Sequence, residues 1–526
     1  MTDGRTLLRP ISWAAEIAVL GQRYGDRVAI ADATDTVTYS ALMAKASGIA
    51  HTLMAAGIAP GDAVATLFRN TADAAAAMLA VMMSGAVEVP INPALGAADR
   101  LHCHTVAQVR LVLTSEALAA GCEAGLGRVI AVDSIDGRPL RPEDFPSVAP
   151  DAPARIVFTS GTTGKPKGAV HAQQGRWIAN LMLRAALPHA PNRDSRVLLM
   201  TPFSHGTSLM TFAYLSAGAS VALIDGVDPT LVLPLLESGT CDAMFAPPTV
   251  LAKIVDAADG LVITALHTIF CGTAVLKPTL YRRAKAIFGP VVRVTYGKSE
   301  VFNPITVLEA AETEAWYAQG NGDACVGWPA PGVEIAIHDE NGHPLPPGET
   351  GEVMIRAQHL MTGYVTTEGF RPIRADGYHD TGDFGHLDGD GRLHLTGRLA
   401  DVIKSGGYKI SPDEVERELA PALQPSEIAV VGIPSDYWGE IVLAAVESPA
   451  PGWEARLEPA LQAMTPYKRP RLLIALDELP RNGIGKIMRS TIRSEILSRF
   501  RLTQGAYPAL EERASPSRSS RAGALD

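Results

Sequence analysis

Cysteine is scarce in this chain of 526 residues, and the scarcity excludes two kinds of structural support. The five cysteines lie far apart and include no CxxC pair: Cys103, Cys122, Cys241, Cys271 and Cys325. An odd number at such spacing forms neither a disulfide framework nor a zinc motif. The pattern is typical of a protein in a reducing compartment, and we expect a cytoplasmic location.

Long apolar runs are lacking as well. The longest soft apolar stretch, from Ala74 to Val87, is bounded by Asp73 and Glu88. It falls short of the roughly 20 residues that span a bilayer, so a buried helix is the better interpretation. Charged residues interrupt the early apolar positions, which argues against a signal peptide. We therefore expect no membrane span.

Positive charge is not in excess. The formal net charge is -10, and 19% of the residues are charged against 47% that are hydrophobic. This balance argues against a general affinity for nucleic acid, although it leaves room for a local basic pocket that binds an anion. A chain of this length exceeds one ordinary hydrophobic core, so we expect more than one domain.

Over its first 300 residues the sequence alternates short β-branched runs with segments of helix length. The runs include AVATLF (63–68), AVEVP (86–90), VRLVL (109–113), SRVLLM (195–200), HTIFC (267–271) and VVRVTYG (291–297). This alternation predicts the α/β class, with largely parallel βαβ sheets covered by helices. From Gly332 shorter strands with Gly/Pro turns predict a small antiparallel β unit, and a compact α+β segment follows.

The segment TSGTTGKPKG at 159–168 is the most informative local motif. It follows RIVF (155–158), an apolar run that predicts a buried strand. A loop rich in glycine, hydroxyl and lysine residues at the end of a strand can direct N–H groups and positive charge at phosphate oxygens. It is not a Walker A motif, because Lys165 is followed by Pro166 rather than by Ser or Thr. The alternative is a flexible surface loop.

Four further motifs follow in order along the chain: YGKSE (296–300), YHDTGDFG (378–385), GRLADVIKSGGYKISPDEVE (397–416) and LPRNGIGKIMR (479–489). Together with the loop at 159–168 they resemble the signatures of the adenylate-forming superfamily. That superfamily includes acyl-CoA synthetases, aryl-CoA ligases, adenylation domains and luciferases. The resemblance extends from about residue 23 to about Arg499, which is most of the chain.

The resemblance implies a reaction, cofactors and a domain plan. A carboxylic acid reacts with ATP, in the presence of Mg²⁺, to give an acyl adenylate and pyrophosphate, and coenzyme A then accepts the acyl group and releases AMP. A large N-terminal domain is expected at 1–397 and a small, mobile α+β C-terminal domain at 398–502. The tail at 503–526 is rich in Ser, Arg, Ala and Gly, and its composition predicts disorder.

The resemblance implies that two of the motifs bind the nucleotide phosphates and the metal. The loop would bind the β- and γ-phosphates through Thr159, Ser160, Gly161, Thr162, Thr163, Gly164 and Lys165. In YGKSE, Tyr296 would lie against adenine, Gly297 would form part of the nucleotide site, Ser299 would bind a phosphate, and Glu300 would bind the Mg²⁺ ion as part of the catalytic machinery. For Glu300 the alternative is a salt-bridged carboxylate. Lys298 is either a surface lysine or a sensor of substrate charge.

The resemblance places further roles in the second half of the chain. Asp383 would accept hydrogen bonds from both ribose hydroxyls, a geometry that suits two carboxylate oxygens. Arg398 would contact ribose and phosphate near the hinge between the domains. Lys486 would be the catalytic lysine that bridges the carboxylate and the α-phosphate. The alternatives are a turn aspartate for Asp383 and a solvated lysine for Lys486.

The acyl side of the site is expected around His205, in TPFSHGTSL. By resemblance it borders the reacting carboxylate as a further catalytic residue, and a structural histidine is the alternative. Gly272, Thr273 and Ala274 would separate the adenine pocket from the acyl pocket. Small and apolar residues follow His205 in the sequence, and they favour a medium or bulky, largely apolar acid.

The second half-reaction depends on the C-terminal motifs. Gly406 and Gly407 resemble the loop that lines the pantetheine tunnel of CoA ligases. Trp438 would meet the CoA arm, with a half-buried structural tryptophan as the alternative. Ala400 departs from the family pattern, because a polar hinge residue, Asp or Lys, usually stands there. Alanine offers no polar contact that would stabilise either domain arrangement.

We therefore expect an acid–CoA ligase whose partner is a small carboxylic acid. The main alternative is a stand-alone adenylating enzyme that passes the acyl group to a carrier-protein thiol or a partner enzyme. A luciferase-type oxygenase and a non-catalytic nucleotide-binding regulator are further alternatives. The presence of Glu300, Asp383, Arg398 and Lys486 together argues against the regulator.

Overall fold

The computed structural model describes residues 9–122, 124–159, 166–187, 190–320, 324–398, 401–405, 408–482, 486–503 and 508–512. Its contacts divide the chain into two units. Unit 1 extends to Thr381 and includes Gly385–Leu395. Unit 2 consists of Gly382–Phe384 and the chain from Thr396 onward.

The helices of the described residues, α1 to α14 in chain order, are Trp13–Tyr24, Tyr39–Ala55, Ala72–Met83, Ala97–Val106, Glu116–Ala119, Gln173–Ala185, Ser208–Leu215, Pro229–Glu237, Pro248–Ala257, Pro278–Phe288, Ala310–Ala318, Pro412–Leu423, Trp453–Ala463 and Arg489–Arg499. Helix α3 is the buried helix that the sequence predicts: every residue except Asp73 is buried. The Thr71 hydroxyl caps its first turn by accepting a hydrogen bond from the Ala74 N–H at 3.3 Å. Within the described ranges, no helix combines the length and apolar character needed to cross a membrane.

The strands of the described residues, β1 to β28 in chain order, are Val28–Ala31, Thr36–Thr38, Ala63–Leu67, Val87–Ile91, Leu111–Thr114, Arg128–Ala131, Pro153–Thr159, Lys167–Ala172, Arg196–Leu199, Ser220–Leu223, Ala243–Phe245, Thr268–Cys271, Val292–Lys298, Val301–Leu308, Ala324–Pro329, Val333–His338, Gly351–Ala357, Gly363–Thr366, Gly369–Pro372, His379–Leu387, Leu393–Arg398, Ile403–Ser405, Tyr408–Ile410, Ile428–Ser435, Gly439–Glu447, Leu472–Leu476, Phe500–Leu502 and Leu510–Glu512. The β-branched runs of the first 300 residues are therefore strands, as predicted.

The largest sheet contains thirteen strands in the order β16-β17-β20-β21-β15-β14-β13-β12-β11-β9-β10-β1-β2. Neighbours from β13 through β12, β11, β9 and β10 to β1 pair in parallel. From β13 to β15 the pairing is antiparallel, as it is between β16 and β17. The predicted antiparallel unit after Gly332 is thus continuous with the parallel sheet. Because β12 and β13 are adjacent, the CGTAV and YGKSE segments leave the sheet side by side.

The second sheet has the order β19-β18-β8-β7-β4-β3-β5-β6. Strands β7 and β8 form an antiparallel hairpin in which Thr159 lies opposite Lys167. Strand β7 also pairs in parallel with β4, where Glu88 lies opposite Arg155. Most of the predicted phosphate loop, residues 160–165, joins these two strands and lies outside the described residues.

Unit 2 has a sheet of its own, in the order β23-β22-β25-β24 with β26 paired to β25. Its strands alternate side chains between two apolar cores. Val430 and Val442 face the core formed with α12 and α13, whereas Val431 and Leu443 face the core formed with α14. Helices on both faces explain why most residues of the strands β24 and β25 are apolar.

The α/β class with a smaller α+β unit is confirmed. The segment 503–526 differs from the composition-based expectation at one place. Leu510–Glu512 forms strand β28 and pairs antiparallel with Phe500–Leu502. Leu510 also packs against the apolar core of unit 2, which gives this short segment the buried contact that its composition does not suggest. Residues 504–507 and 513–526 lie outside the described residues.

Candidate active site

The β7–β8 hairpin frames the predicted phosphate loop. Thr159 ends β7 and Lys167 begins β8, so the two ends of the loop are adjacent. The His102 ring nitrogen Nε2 lies 2.9 Å from the Pro166 carbonyl oxygen, which ties the end of the loop to α4. The other predicted loop residues, Ser160, Gly161, Thr162, Thr163, Gly164 and Lys165, lie outside the described residues. Their roles stay predictions.

The YGKSE motif forms the turn between the antiparallel strands β13 and β14. Tyr296 is buried at the end of β13, and a register irregularity follows it between Tyr296 and Lys298. The Lys298 ammonium donates a hydrogen bond to the Thr381 carbonyl oxygen at 2.6 Å. This bond fastens the turn to the HDTGD strand β20. It was not part of either interpretation of Lys298, as a surface lysine or as a sensor of substrate charge.

Glu300 is buried, and its Oε1 accepts a hydrogen bond from the Tyr364 hydroxyl at 2.7 Å. Burial and the nearby carboxylate raise the pKa of Tyr364, so this hydroxyl keeps its proton. The described residues contain no cluster of three or more His, Cys, Asp or Glu that could hold a metal alone. A single carboxylate nevertheless fits Mg²⁺, which is commonly bound by one or two carboxylates and the phosphates of the nucleotide.

His171, on β8, supports the same turn and was missed in the sequence. Its Nε2 lies 2.7 Å from the Ser299 carbonyl oxygen, and its ring stacks on Phe302 with centroids 3.7 Å apart. Burial, reinforced by the charges of Arg155 and other cations, lowers the pKa of His171 to about 3. The imidazole is therefore neutral, and Nε2–H donates to Ser299. In the sequence, the local feature that could have indicated His171 is the presence of a polar residue inside the apolar run GAVHA.

His205 lies in a π-type turn, Phe203–Thr207, that leads into α7. Its own backbone is not helical, with φ -116° and ψ -139°. The Ser208 hydroxyl donates to the His205 carbonyl oxygen at 2.9 Å and holds this conformation. The side chain is exposed to solvent but recessed among protein atoms, and this desolvation together with Arg155 lowers its pKa. A neutral His205 can offer hydrogen bonds to an acid without adding positive charge.

The segment Gly272–Ala274 follows β12 and approaches the neighbouring strand closely. A Cβ atom at Gly272 would lie 2.7 Å from both the carbonyl oxygen and the hydroxyl of Thr295. Only glycine therefore allows this segment to lie against the residue that precedes Tyr296. Thr273 adopts the left-handed conformation, with φ +69°, which is uncommon for a β-branched residue. Strained backbone of this kind is typical of functional sites.

Within unit 2, the structure brings together three of the predicted residues. Asp383 is 6% exposed, and its Oδ1 lies 3.5 Å from Nε of Arg398. Lys486 is half-buried, and its N–H donates to the Asn482 side-chain oxygen at 2.9 Å. Burial lowers the pKa of Lys486, as does the charge of Arg398, whereas Asp413, Asp401 and Asp383 act in the opposite direction.

Arg489 anchors the segment that carries Lys486, and the sequence gave no separate role to it. Its guanidinium forms ion pairs with Asp401 at 3.1 Å, with Glu416 at 2.8 Å and with Asp413. Burial lowers the pKa of this guanidinium, but the three carboxylates outweigh burial and hold the pKa above the ordinary value for arginine. Arg489 follows Lys486 by three residues in the motif GKIMR. This position within the motif could have indicated the anchoring role from the sequence.

The residues predicted for coenzyme A are only partly within the described chain. Gly406 and Gly407 lie outside it, as does Ala400. Trp438 is half-buried, and the Arg471 guanidinium carbon lies 3.7 Å from the centroid of its ring. This cation–π contact orients the indole at the edge of unit 2. It is compatible with both the structural and the CoA-binding interpretation of Trp438.

Comparison with known families identifies the chain. The profile of the family described as "AMP-binding enzyme" matches residues 17–365, which is more than half of the chain. The chain belongs to the AMP-binding enzyme family. A second profile, "AMP-binding enzyme C-terminal domain", matches residues 414–486 of this AMP-binding enzyme and ends at Lys486. The predicted resemblance to the adenylate-forming superfamily is confirmed.

Curated relatives and solved structures match this AMP-binding enzyme over most of its length. A feruloyl-CoA synthase from an Amycolatopsis species is 31% identical over 474 residues, covering 87% of this chain and 93% of that protein. An indoleacetate–CoA ligase from Aromatoleum aromaticum is 30% identical over 487 residues, covering 87% and 92%. The o-succinylbenzoate CoA synthetase of Bacillus subtilis, solved with its acyl-adenylate intermediate, superposes with a TM-score of 0.81 at 26% identity, covering 92% and 98%.

Proposed function

We propose that this AMP-binding enzyme is an AMP-forming acid–CoA ligase acting on an aromatic carboxylic acid. One acid oxygen attacks the α-phosphate of ATP, and pyrophosphate leaves with the electrons of the broken P–O bond. The thiol of coenzyme A then loses its proton and attacks the acyl carbon, and AMP leaves. The observation that carries this proposal is the match of both the large and the C-terminal family profiles, the second ending at Lys486.

The residues of unit 2 support the first half-reaction. Asp383 offers two acceptor oxygens for the ribose hydroxyls, and Arg398 beside it offers donors for phosphate. Lys486 supplies a positive charge where negative charge develops during attack on phosphorus. Its depressed pKa reflects an environment of low polarity, in which a charged contact stabilises the transition state more strongly than it would in water.

Unit 1 supports nucleotide and metal binding. Tyr296 and the Gly272–Ala274 segment lie together at the ends of β13 and β12, where a planar base can bind. Glu300 would hold Mg²⁺, which neutralises phosphate charge when bound. Tyr364 keeps the Glu300 carboxylate oriented. The loop that begins at Thr159 would bind the outgoing pyrophosphate.

The relatives that match this chain support an aromatic acid as the substrate. The relatives named above act on feruloyl, indoleacetate and succinylbenzoate groups, all of which are aromatic.

The relatives also favour coenzyme A over a carrier protein as the acceptor, since the curated matches include several CoA ligases. None of the five cysteines is in a disulfide, which supports a reducing, cytoplasmic location for the enzyme.

A two-stage assay tests this function. The full chain is incubated with ATP, Mg²⁺ and a panel of aromatic and aliphatic acids, and pyrophosphate release is measured with and without coenzyme A. Acyl-AMP and acyl-CoA are then quantified separately by mass spectrometry. We expect at least one aromatic acid to give acyl-CoA. Acyl-AMP that accumulates unchanged when coenzyme A is added would instead support transfer to another acceptor, and no pyrophosphate release with any acid would refute the proposal.

A further inference from the structure

A buried cluster of three charged side chains lies between the eight-stranded sheet and helix α6. Glu88 on β4 and Arg155 on β7 lie opposite each other, and Arg176 on α6 reaches the same place. The Arg176 Nη2 atom donates to Glu88 Oε2 at 2.7 Å, while Arg155 Nε is 3.7 Å from the same oxygen. The exposed fractions of the side chains are 1% for Glu88, 1% for Arg155 and 4% for Arg176, so this cluster is closed to a substrate.

Charge balance does not account for Arg155. Two guanidinium groups face one carboxylate, and it is Arg176 that donates the hydrogen bond to Glu88. Burial lowers the pKa of Arg155 only to about 10, so this arginine is charged at neutral pH. Its Nε and Nη1 atoms have no hydrogen-bond partner among the described residues. A surplus charge buried in this way is costly, and its presence needs a reason other than the ion pair.

The hydrogen bond that Arg155 does make leads toward the candidate acyl site. Its Nη2 atom donates to Oγ of Ser208 at 2.7 Å, and both side chains are buried. A guanidinium has no acceptor, so the Ser208 oxygen must accept, which leaves the hydroxyl proton for another partner. That partner is the His205 carbonyl oxygen, at 2.9 Å. The direction of the two bonds is therefore fixed, from Arg155 to Ser208 and from Ser208 to His205.

These two bonds connect two separate parts of the candidate site. Arg155 lies on β7, which ends at Thr159, where the predicted phosphate loop begins. Ser208 is the first residue of α7, and His205 lies in the turn Phe203–Thr207 just before it, with a backbone that is not helical. One buried side chain thus joins the strand that leads into the phosphate loop to the turn that carries His205.

We propose that Arg155 is a positioning residue for adenylation, which holds His205 beside the reacting acid through the hydroxyl of Ser208. Arg155 itself touches no reacting atom, since it is buried away from the site. Burial, and then the charge of Arg155, lowers the pKa of His205, so the imidazole held in this way is neutral. This inference rests on the proposed function, because it takes His205 to border the carboxylate that is adenylated.

The surplus charge provides a test that separates this role from a purely structural one. Arg155→Met leaves Glu88 and Arg176 as a balanced pair with their hydrogen bond at 2.7 Å. Replacement of a buried charge by an apolar side chain is often neutral or stabilising when no other charge loses its partner, so the variant should fold. We expect Arg155→Met to lose activity without losing stability in urea unfolding. A residue that only supports the fold would lose both together.

The first experiment measures pyrophosphate release with benzoate, phenylacetate and cinnamate as probe acids. Ser208→Ala and Arg155→Met should each lower kcat/KM for the acid by about 10-fold, as loss of one buried hydrogen bond would give, and leave the KM of ATP nearly unchanged. Ser208→Thr keeps the hydroxyl and should retain most of the activity. Thr211→Val is the matched control, because Thr211 is equally buried on α7 and its hydroxyl has no partner among the described residues.

A double-mutant cycle then decides whether the effect passes through His205. In the His205→Ala background, Ser208→Ala and Arg155→Met should each lower kcat/KM by less than about 2-fold further, because the group that they position is absent. The same 10-fold loss, roughly, in both backgrounds would overturn the proposal.

The second experiment needs no turnover, so it distinguishes failure of this inference from failure of the proposed ligase activity. The chain is labelled with ¹³C-histidine, and the ring signal that is missing in His205→Ala is assigned to His205. Removal of the positive charge in Arg155→Met should raise the pKa of His205 toward about 6.5, whereas Thr211→Val should leave it unchanged. An unchanged titration of His205 in Arg155→Met would contradict the link between the two residues, even if no acid were turned over.

Discussion

At the scale of single residues, Lys486 carries the clearest chemical prediction. Lys486 is half-buried, and a charged contact at such a site stabilises the transition state by about 3–4 kcal/mol. We expect Lys486→Ala to slow adenylation by roughly 10²–10³-fold. Thioester formation from supplied acyl adenylate should fall much less. Rapid-quench measurement of each half-reaction checks this, and an equal loss in both would remove Lys486 from the adenylation step.

Asp383 gives a second prediction at this scale. A buried carboxylate that accepts from two ribose hydroxyls contributes on the order of 1.5–3 kcal/mol. Asp383→Ala should therefore weaken ATP binding by about 10–100-fold, measured by calorimetric titration. Asp390→Ala is the matched control, because Asp390 is exposed and pairs with Arg392 at the surface. The role is refuted if ATP affinity is unchanged in a variant whose circular dichroism shows an intact fold.

At the scale of elements, His171 joins strand β8 to the YGKSE turn, and this connection depends on pH. The folded pKa of about 3 is well below the value near 6.5 that histidine has in an unfolded chain. The unfolded state therefore binds more protons between these values. The stability that the neutral histidine contributes is complete above about pH 6.5 and is lost as the pH falls toward 3.

Urea unfolding at pH 7.5 and pH 5.5 tests this connection. The unaltered chain should lose about 1.4 kcal/mol more stability between these pH values than His171→Gln, because only the histidine is forced to stay neutral in the folded state. Glutamine keeps an N–H donor for the Ser299 carbonyl oxygen, so the variant should fold. Equal losses in the two proteins would show that His171 does not contribute to acid sensitivity.

At the scale of the whole molecule, the chain consists of two units that each have a hydrophobic core. The predicted hinge carries Ala400 where the family usually has a polar residue. We expect Ala400→Asp to increase CoA-dependent turnover without changing acyl-AMP formation, since an added polar contact would stabilise one of the two domain arrangements. Mass spectrometry of acyl-AMP and acyl-CoA in parallel time courses measures both. A variant that changes both half-reactions together would contradict this explanation.

The sequence by itself determined the fold class, the family and the reaction type, because these depend on local strings. Alternating apolar runs gave strands at the predicted places, including β7 before the loop and β13, which carries Tyr296. The five motifs predicted the family that the profiles match. The roles of individual site residues stay predictions. Residues 160–165, 400, 406 and 407 lie outside the described chain, so the structure places none of their side chains.

Only the tertiary structure decided which side chains surround the motif residues. Tyr364 bonds Glu300 across 64 residues of sequence, His171 contacts Ser299 across 128, and Arg176 reaches Glu88 across 88. The physical reason is that buried polar groups must find partners, and those partners come from strands and helices that neighbour one another in the fold. The order of strands in a sheet is not written in any local pattern. The charge excess of Glu88, Arg155 and Arg176 therefore became visible only when β4, β7 and α6 were placed together.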